Sequence, residues 1–381
     1  MRHCFRKPLT KLLVFSLFSV LFFSKSYALD DVLDAPSMKT DLAAKALLLD
    51  VALAGKRIVA VGERGHIIYS DDQGVKWTQA SVPVSVSLTA VYFPTDTQGW
   101  AVGHGAIILH SSDSGKTWKK QFDGNEANQE VVEQSEKSIV VLEQALESAP
   151  ESEQEDLEMQ LEEAQFSLED AQFDAEVGPS KPLLDVLFLN EKEGFAVGAY
   201  GFFFKTEDGG ESWFNVSERI DNQDRFHLNA ITQITGGSLF VAGEAGIIFR
   251  SNDSGETWVT LDSPYDGSFF GASGTGNVNE VLVFGLRGNL YRSIDLGANW
   301  ARIDSGNEAT LIASKGDDDG IIAVVGNSGI VLVSGNAGES FQAVIRENRK
   351  AVNSVLLLEN GNLLLVGEQG VDISGPSGRN L

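Results

Sequence analysis

Ser251-Asn252-Asp253-Ser254-Gly255-Glu256-Thr257-Trp258, preceded by Ala242-Gly243 ten residues before its aspartate, is a stretch whose frame recurs along the chain. The frame, Ser-x-Asp-x-Gly-x-x-Trp, returns around Asp72 and Trp77, Asp113 and Trp118, Asp208 and Trp213, and Asp295 and Trp300. A degraded copy has Asn336, Gly338 and Phe341, and a seventh begins at Val366-Gly367 and ends before its aspartate position. Aspartate accepts hydrogen bonds from the N–H groups of a tight turn, and glycine supplies a positive φ. Tryptophan then opens the next strand and is expected to pack back across the hairpin. A turn repeated this way, an Asp-box of the BNR-repeat type, is scaffold and not catalytic machinery.

The aspartate positions are spaced by about 42 residues, the period of a four-stranded propeller blade, except for one step of 95. Residues 123–178 have a different composition, and removing them restores the period. Each unit opens on an apolar strand, such as Leu47-Leu48-Leu49-Asp50-Val51 or Leu183-Leu184-Asp185-Val186, and its second strand ends in Val-Gly or a near equivalent. The predicted fold is all-β: a seven-bladed β-propeller over 29–381 with Asp-box hairpins and an inserted antiparallel α-helical hairpin at 123–178. The last unit lacks a convincing fourth strand. Residues 29–35 are therefore expected to pair as its outer strand and close the ring, covering edges that would otherwise aggregate.

The insertion places Val132, Ile139, Leu142 and Leu146, then Leu157, Leu161, Ala164, Leu168 and Ala171, at coiled-coil spacing on either side of Ala149-Pro150. It carries eighteen acidic residues and one lysine, Lys137, so most of the formal charge of −25 sits there. Either its seam closes on itself and the arm is only solvated, or the arm docks a partner.

Residues 1–28 are predicted to be a cleavable signal peptide: a basic start, an apolar run from Leu12 to Phe23, and Ser26-Tyr27-Ala28 as a small-x-small site. Cleavage would remove the one cysteine, Cys4, which excludes disulfides and thiol chemistry from the mature chain. The expected location is the periplasm.

Chemical signatures are sparse. His66, His104, His110 and His227 lack metal-ligand spacing, and Asp317-Asp318-Asp319 reads as a hairpin tip and not a calcium loop. No dinucleotide, phosphate-loop or Gly-x-Ser-x-Gly signature is found, so no cofactor, metal or catalytic residue is assigned. The acidity argues against nucleic acid. The turns between second and third strands should all line one face, bringing together Glu63, Arg64, His104, Tyr200, Glu244, Arg287 and Glu368. Arg64 and Arg287 share a register and could fork onto a partner's carboxylates.

The units of Trp/Phe-Ala-Val-Gly, Gly-x-Ile and Ser-x-Asp-x-Gly-x-x-Trp, with Val61-Gly62-Glu63-Arg64-Gly65, resemble the photosystem II stability/assembly factor family, in its bacterial non-photosynthetic branch. The resemblance implies a non-enzymatic helper on the exported side of a membrane. Its partner would be a membrane protein or complex, an envelope transport system among the candidates, with the hairpin as a docking arm. An arginine patch is implicated in the photosynthetic members, and Arg64 and Arg287 are the residues carried over. The alternative classes are a sialidase-like glycoside hydrolase, which needs an arginine triad, a tyrosine nucleophile and carboxylates, and a carbohydrate-binding propeller.

Overall fold

In the computed structural model, which describes residues 31–317 and 319–381, the described strands form seven antiparallel sheets, six of four strands and one of three. The signal peptide expected at 1–28 lies outside these residues. Sheet one is built from Leu48–Ala54, Arg57–Gly62, Ile67–Ser70 and Thr78–Gln79. Sheets two to seven open with Leu88–Tyr92, Leu183–Phe188, Leu228–Gln233, Phe269–Gly274, Leu311–Gly316 and Val352–Leu357. These opening strands touch in sequence, and the seventh touches the first, so the sheets form a propeller-like ring. The two helices, α1 (Gly124–Ser148) and α2 (Glu151–Val177), occupy the single insertion.

Each second strand ends on a glycine for a steric reason. A Cβ on Gly62, Gly103, Gly243, Gly285, Gly326 or Gly367 would lie 2.0–2.2 Å from the carbonyl oxygen of the residue just before that sheet's first strand, and on Gly198 at 2.5 Å. The register skips one residue there in every sheet, as between Leu48↔Gly62 and Asp50↔Val61. That recurrent bulge bends the opening strand toward the axis. Its extra residue reaches the next sheet in three places. Thr89 Oγ1 donates to Leu183 O at 2.7 Å, Asn229 Nδ2 to Phe269 O at 2.8 Å, and Asn353 Nδ2 to Leu48 O at 2.8 Å.

The turn that opens the sequence reading works as a wedge. Ser251 Oγ donates to Asp253 Oδ1 at 2.8 Å, Asp253 accepts from the Thr257 N–H and hydroxyl, and Trp258 Nε1 donates to Gly255 O. The hydroxyl bond from two residues before and the N–H bond from four residues after recur at Asp72, Asp113, Asp208 and Asp295, and Asn336 accepts in the same way from Ser334 Oγ and Ser340 N. The indole bond recurs at Trp77 and Trp118, whereas Trp213 and Trp300 Nε1 are buried without a partner among the described residues. The indoles do not simply fold back over their own hairpins. Trp258 meets Phe195 and Phe203 of sheet three edge-on, and Trp77 lies in the apolar cluster with Leu356 and Leu364 of sheet seven. Gly255 likewise faces Phe195, and Gly338 faces Leu282 of sheet five. The wedge therefore fills the gap to the preceding sheet, where burying an indole stabilises by a few kcal/mol at ~25 cal/mol per Å².

The ring closes differently from the sequence expectation. Over its described part, the segment 29–35 does not pair with the last sheet. The Val32 carbonyl accepts from Ser85 N at 2.9 Å, the Ser37 N–H donates to Val82 O at 3.1 Å, and Leu33 is buried with Val82, Val84 and Trp118, between sheets one and two. The outer edge of sheet seven is met by the C-terminal tail, through a bridge between Ser374 and Asn380, with Arg346 bonding Asp372 and Asn380. An apolar slot for Leu33 and an edge already occupied by the tail together displace the predicted strand. Closure rests on the Asn353–Leu48 bond and on the cluster joining Leu48, Val51 and Ile58 to Leu356, Leu364 and Val366.

Gly243→Ala is expected to lower unfolding stability by about 1–3 kcal/mol, the usual cost of forcing atoms into a filled site, read from urea midpoints. Gly335, with nothing within 4 Å of a built Cβ, is the control. Equal, small changes in both would mean the strand ends have slack.

Candidate functional site

Strand direction divides the turns of the ring between two faces. The Asp turns, between third and fourth strands, fall on one face with the turns joining first to second strands. The turns joining second to third strands, the interblade connections and the helical hairpin fall on the other. Five of these second-to-third turns have a shared backbone: Glu63–Gly65, Ala199–Gly201, Glu244–Gly246, Leu286–Gly288 and Asn327–Gly329, each closed by an N–H donating back across the turn. Their two central residues are both left-handed, at φ 56° for Arg64, Tyr200 and Arg287, 53° for Ala245 and 57° for Ser328, followed each time by glycine. Such a turn suits two strands of right-handed twist, and glycine or asparagine is its easy occupant. Arginine or tyrosine there costs of order 1 kcal/mol or more. Sheet two does use glycine, Gly105, and that turn is covered by Leu33.

The predicted rim residues therefore share a face but not a role. Arg64 and Arg287 are exposed, and neither side chain has a hydrogen-bond or ion-pair partner among the described residues. They stand on sheets one and five, three sheets apart by the shorter way, so they do not form one fork. Glu63 Oε1 accepts from Leu47 N at 3.2 Å and Glu244 Oε2 from His227 N at 3.1 Å, so both cap the chain entering a first strand. Glu368 pairs with Lys350 at 3.4 Å. His104 is exposed with its backbone N–H on Ser87 O, while Tyr200 stands out beside His227, ring centroids 4.9 Å apart.

Sequence reasoning missed Arg349. It lies in the connection from sheet six to seven, outside the repeating register, and its Cα sits against the turn glycine Gly329. It is exposed, left-handed at φ 51°, and its side chain has no ion pair among the described residues. Arg287, Arg349 and Arg64 thus form an arc over sheets five, six and one. Arg250 donates to Leu296 O, Arg292 to Glu280, and Arg225 pairs with Asp170, so these three serve separate local contacts and do not converge.

The hairpin stands opposite the arc. Asp123 caps α1, with a reciprocal bond from its own N–H to Glu126. Asn128 donates to Asp174 O and Gly178 O, Ala127 and Ala171 are buried, and Lys181 pairs with Asp174. The arm is thus tied down at its base. The seam residues named from the sequence lie half-buried or buried between the helices, with Ala149-Pro150 as the break. Between α1, α2 and sheet three lies a groove of about 430 Å³, lined among others by Ser135, Gln160, Ala171, Tyr200, Phe202 and Ile220. Sequence reasoning had no signal for it, because it exists only once the arm is seated.

The axis holds a second cavity of about 430 Å³, lined by all seven opening strands. Asp50 Oδ2 accepts from Val91 N and Asp185 Oδ2 from Ile231 N, each reaching the next sheet. Burial pushes both carboxyls up against the pull of these N–H groups. Asp185, with the Asp50 charge added, is pushed up to about 7. Asp253, by contrast, is held down at about 2 by its hydrogen bonds from Thr257 and Ser251. Asp317 caps its own turn by accepting from Asp319 N and Ile321 N; Asp318 lies outside the described residues. Among the described residues no group of three or more His, Cys, Asp or Glu is placed to hold a metal, and no helix is long and apolar enough to cross a membrane.

A ring of wedged sheets with its second-to-third turns in register on one face defines a β-propeller-like protein. The chain belongs to the family described as photosynthesis system II assembly factor YCF48, whose model matches residues 31–126 and 169–373. The unmatched interval, 127–168, is most of the helical hairpin. No curated protein matches the sequence. Among solved structures it is similar to YCF48 bound to D1 peptide, at 14% identity and TM-score 0.59, covering 86% of this chain and 93% of that one. YCF48 from Cyanidioschyzon merolae follows at 13% and 0.58, covering 86% and 95%. The WD40 propeller domain of Doa1 superposes as well, at 11% and 0.58, covering 90% and 95%, so these likenesses speak to fold alone.

The axial carboxyl gives a pH test. A carboxyl raised from 3.8 to about 7 favours the folded state fully below about pH 4, and that contribution is lost as pH rises through 7. Asp185→Asn is therefore expected to flatten the loss of stability between about pH 4 and pH 8, by ~2–4 kcal/mol at the upper end. Parallel curves for variant and unaltered chain would contradict the burial-driven shift.

Proposed function

We propose that this chain is a seven-bladed Asp-box propeller acting as a non-catalytic assembly or stability factor, exported to the periplasm, for a membrane protein complex. A scaffold or adaptor of an envelope transport system is one form this role could take. It holds a carboxylate-bearing, extended segment of its client on the face of the second-to-third turns. The observation that carries this reading is the arc of Arg64, Arg287 and Arg349, exposed and unpaired among the described residues on the same face as the roofed groove. Arginine forks recognise carboxylates bidentately, and all three are kept at backbone positions where glycine would be unstrained. Family membership supports the assembly role, and a structural neighbour is recorded with a bound D1 peptide. The groove beside Tyr200, with Phe202 and Ile220 in its wall, offers places for apolar side chains of the same segment.

The hydrolase alternative needs three arginines around one carboxylate, and Arg225, Arg250 and Arg292 are separately engaged. An arc that captures carboxylates should lose that ability on charge reversal. A labelled extended peptide with Asp and Glu side chains and a free C-terminal carboxylate is expected to bind the full chain. Its affinity should fall roughly tenfold or more in Arg64→Glu/Arg287→Glu/Arg349→Glu, with the unfolding midpoint unchanged. Unaltered affinity would remove the arc from the reading, and sialoside turnover by the purified protein would replace it with the enzyme.

A further inference from the structure

The inner sides of α1 and α2 close on each other, and the outer side of α2 has a regularity that this closure does not use. With Leu157, Ala164 and Ala171 as one core column and Leu161 and Leu168 as the other, the two heptad columns on either side of the one that faces away from the core are acidic. They read Glu155 and Asp156, Glu162 and Glu163, Glu169 and Asp170. The column directly opposite the core, which is ordinarily polar, holds Met159, Phe166 and Phe173. These are 57%, 61% and 66% exposed, and Val177, one turn beyond Phe173, is 60% exposed. Large apolar side chains thus meet water at three positions spaced two turns apart, over a length of ~21 Å, between rows of carboxylates.

We propose that this outer face of α2 docks a cationic amphipathic helix of a partner protein. The apolar column requires an apolar stripe of matching seven-residue period, and the carboxylate rows require lysine or arginine beside it. Charge decides against the other occupants. A second copy would bring a further arm of eighteen acidic residues and one lysine against the first. An anionic bilayer surface would be repelled by the same rows. The arm is suited to presenting a surface, because the Asp123 cap, the Asn128 bonds and the buried Ala127 and Ala171 fix its base to the ring. The inference is independent of the arginine arc: either site can fail with the other intact.

The test uses the full chain and labelled three-heptad helical peptides. One has a leucine stripe flanked by lysine, one the same stripe flanked by glutamate, and one the lysines without the stripe. The first is expected to bind, with an affinity that falls on added salt and falls roughly tenfold or more in Phe166→Ser/Phe173→Ser. The other two should bind far more weakly. Because both phenylalanines are exposed, helicity and unfolding midpoint should not change; Met159→Gln/Phe166→Gln serves as the second variant if they do. Equal binding by the stripe-free peptide, or by the variants, would overturn the proposal. So would a dimer of the unaltered chain that the variants dissolve, or stripe-dependent sedimentation with phosphatidylcholine vesicles, with or without phosphatidylglycerol.

Discussion

Seven glycines, each pressed against the carbonyl that precedes its own sheet's first strand, set the height of every second-to-third turn. No side chain fits there: even at Gly198, the loosest of them, a Cβ would sit 2.5 Å from Pro182 O. The contact forces a bulge into each opening strand, and the bulge turns that strand toward the axis, where Thr89, Asn229 and Asn353 find the neighbouring carbonyls. One steric constraint, repeated, thus brings the turns into register on one face and brings the opening strands together into a ring. The Asp turns do the complementary work on the opposite side, wedging tryptophan and glycine into the gap to the preceding sheet.

This division of labour leaves the two faces unequal. The wedge face is occupied by its own packing, and its aspartates are engaged in local hydrogen bonds. The other face carries what the packing does not consume: three arginines without partners among the described residues, an exposed tyrosine, and an arm whose acidity is out of proportion to its contacts. Glu63 and Glu244, which look equally available in sequence, are used up holding backbone N–H groups.

The period of the Ser-x-Asp-x-Gly-x-x-Trp frame made the sheets legible, down to the strand order within each, because turn chemistry and apolar runs are local properties. The break inside the helical insertion was legible too, because Ala149-Pro150 interrupts a helix. Closure was not. Whether Leu33 enters sheet seven or a slot beside Val82 and Val84 is decided by which apolar hole is empty and which edge the tail reaches first, and neither is written near Leu33. The site was half legible for the same reason. Arg64 and Arg287 announce themselves by register, whereas Arg349 comes from a connection of no fixed pattern, and the groove by Tyr200 requires two distant segments to be seated together.

The account makes the face of the second-to-third turns the working surface, whatever the client. A photoreactive amino acid placed in turn at Tyr200, Ser328 and Gln369 on that face, and at Gln73, Ser114 and Ser254 on the Asp-turn face, tests this in intact cells. Crosslinks to one client from the first set and none from the second are predicted. A client captured through Gln73, Ser114 or Ser254, with the first set silent, would contradict the assignment.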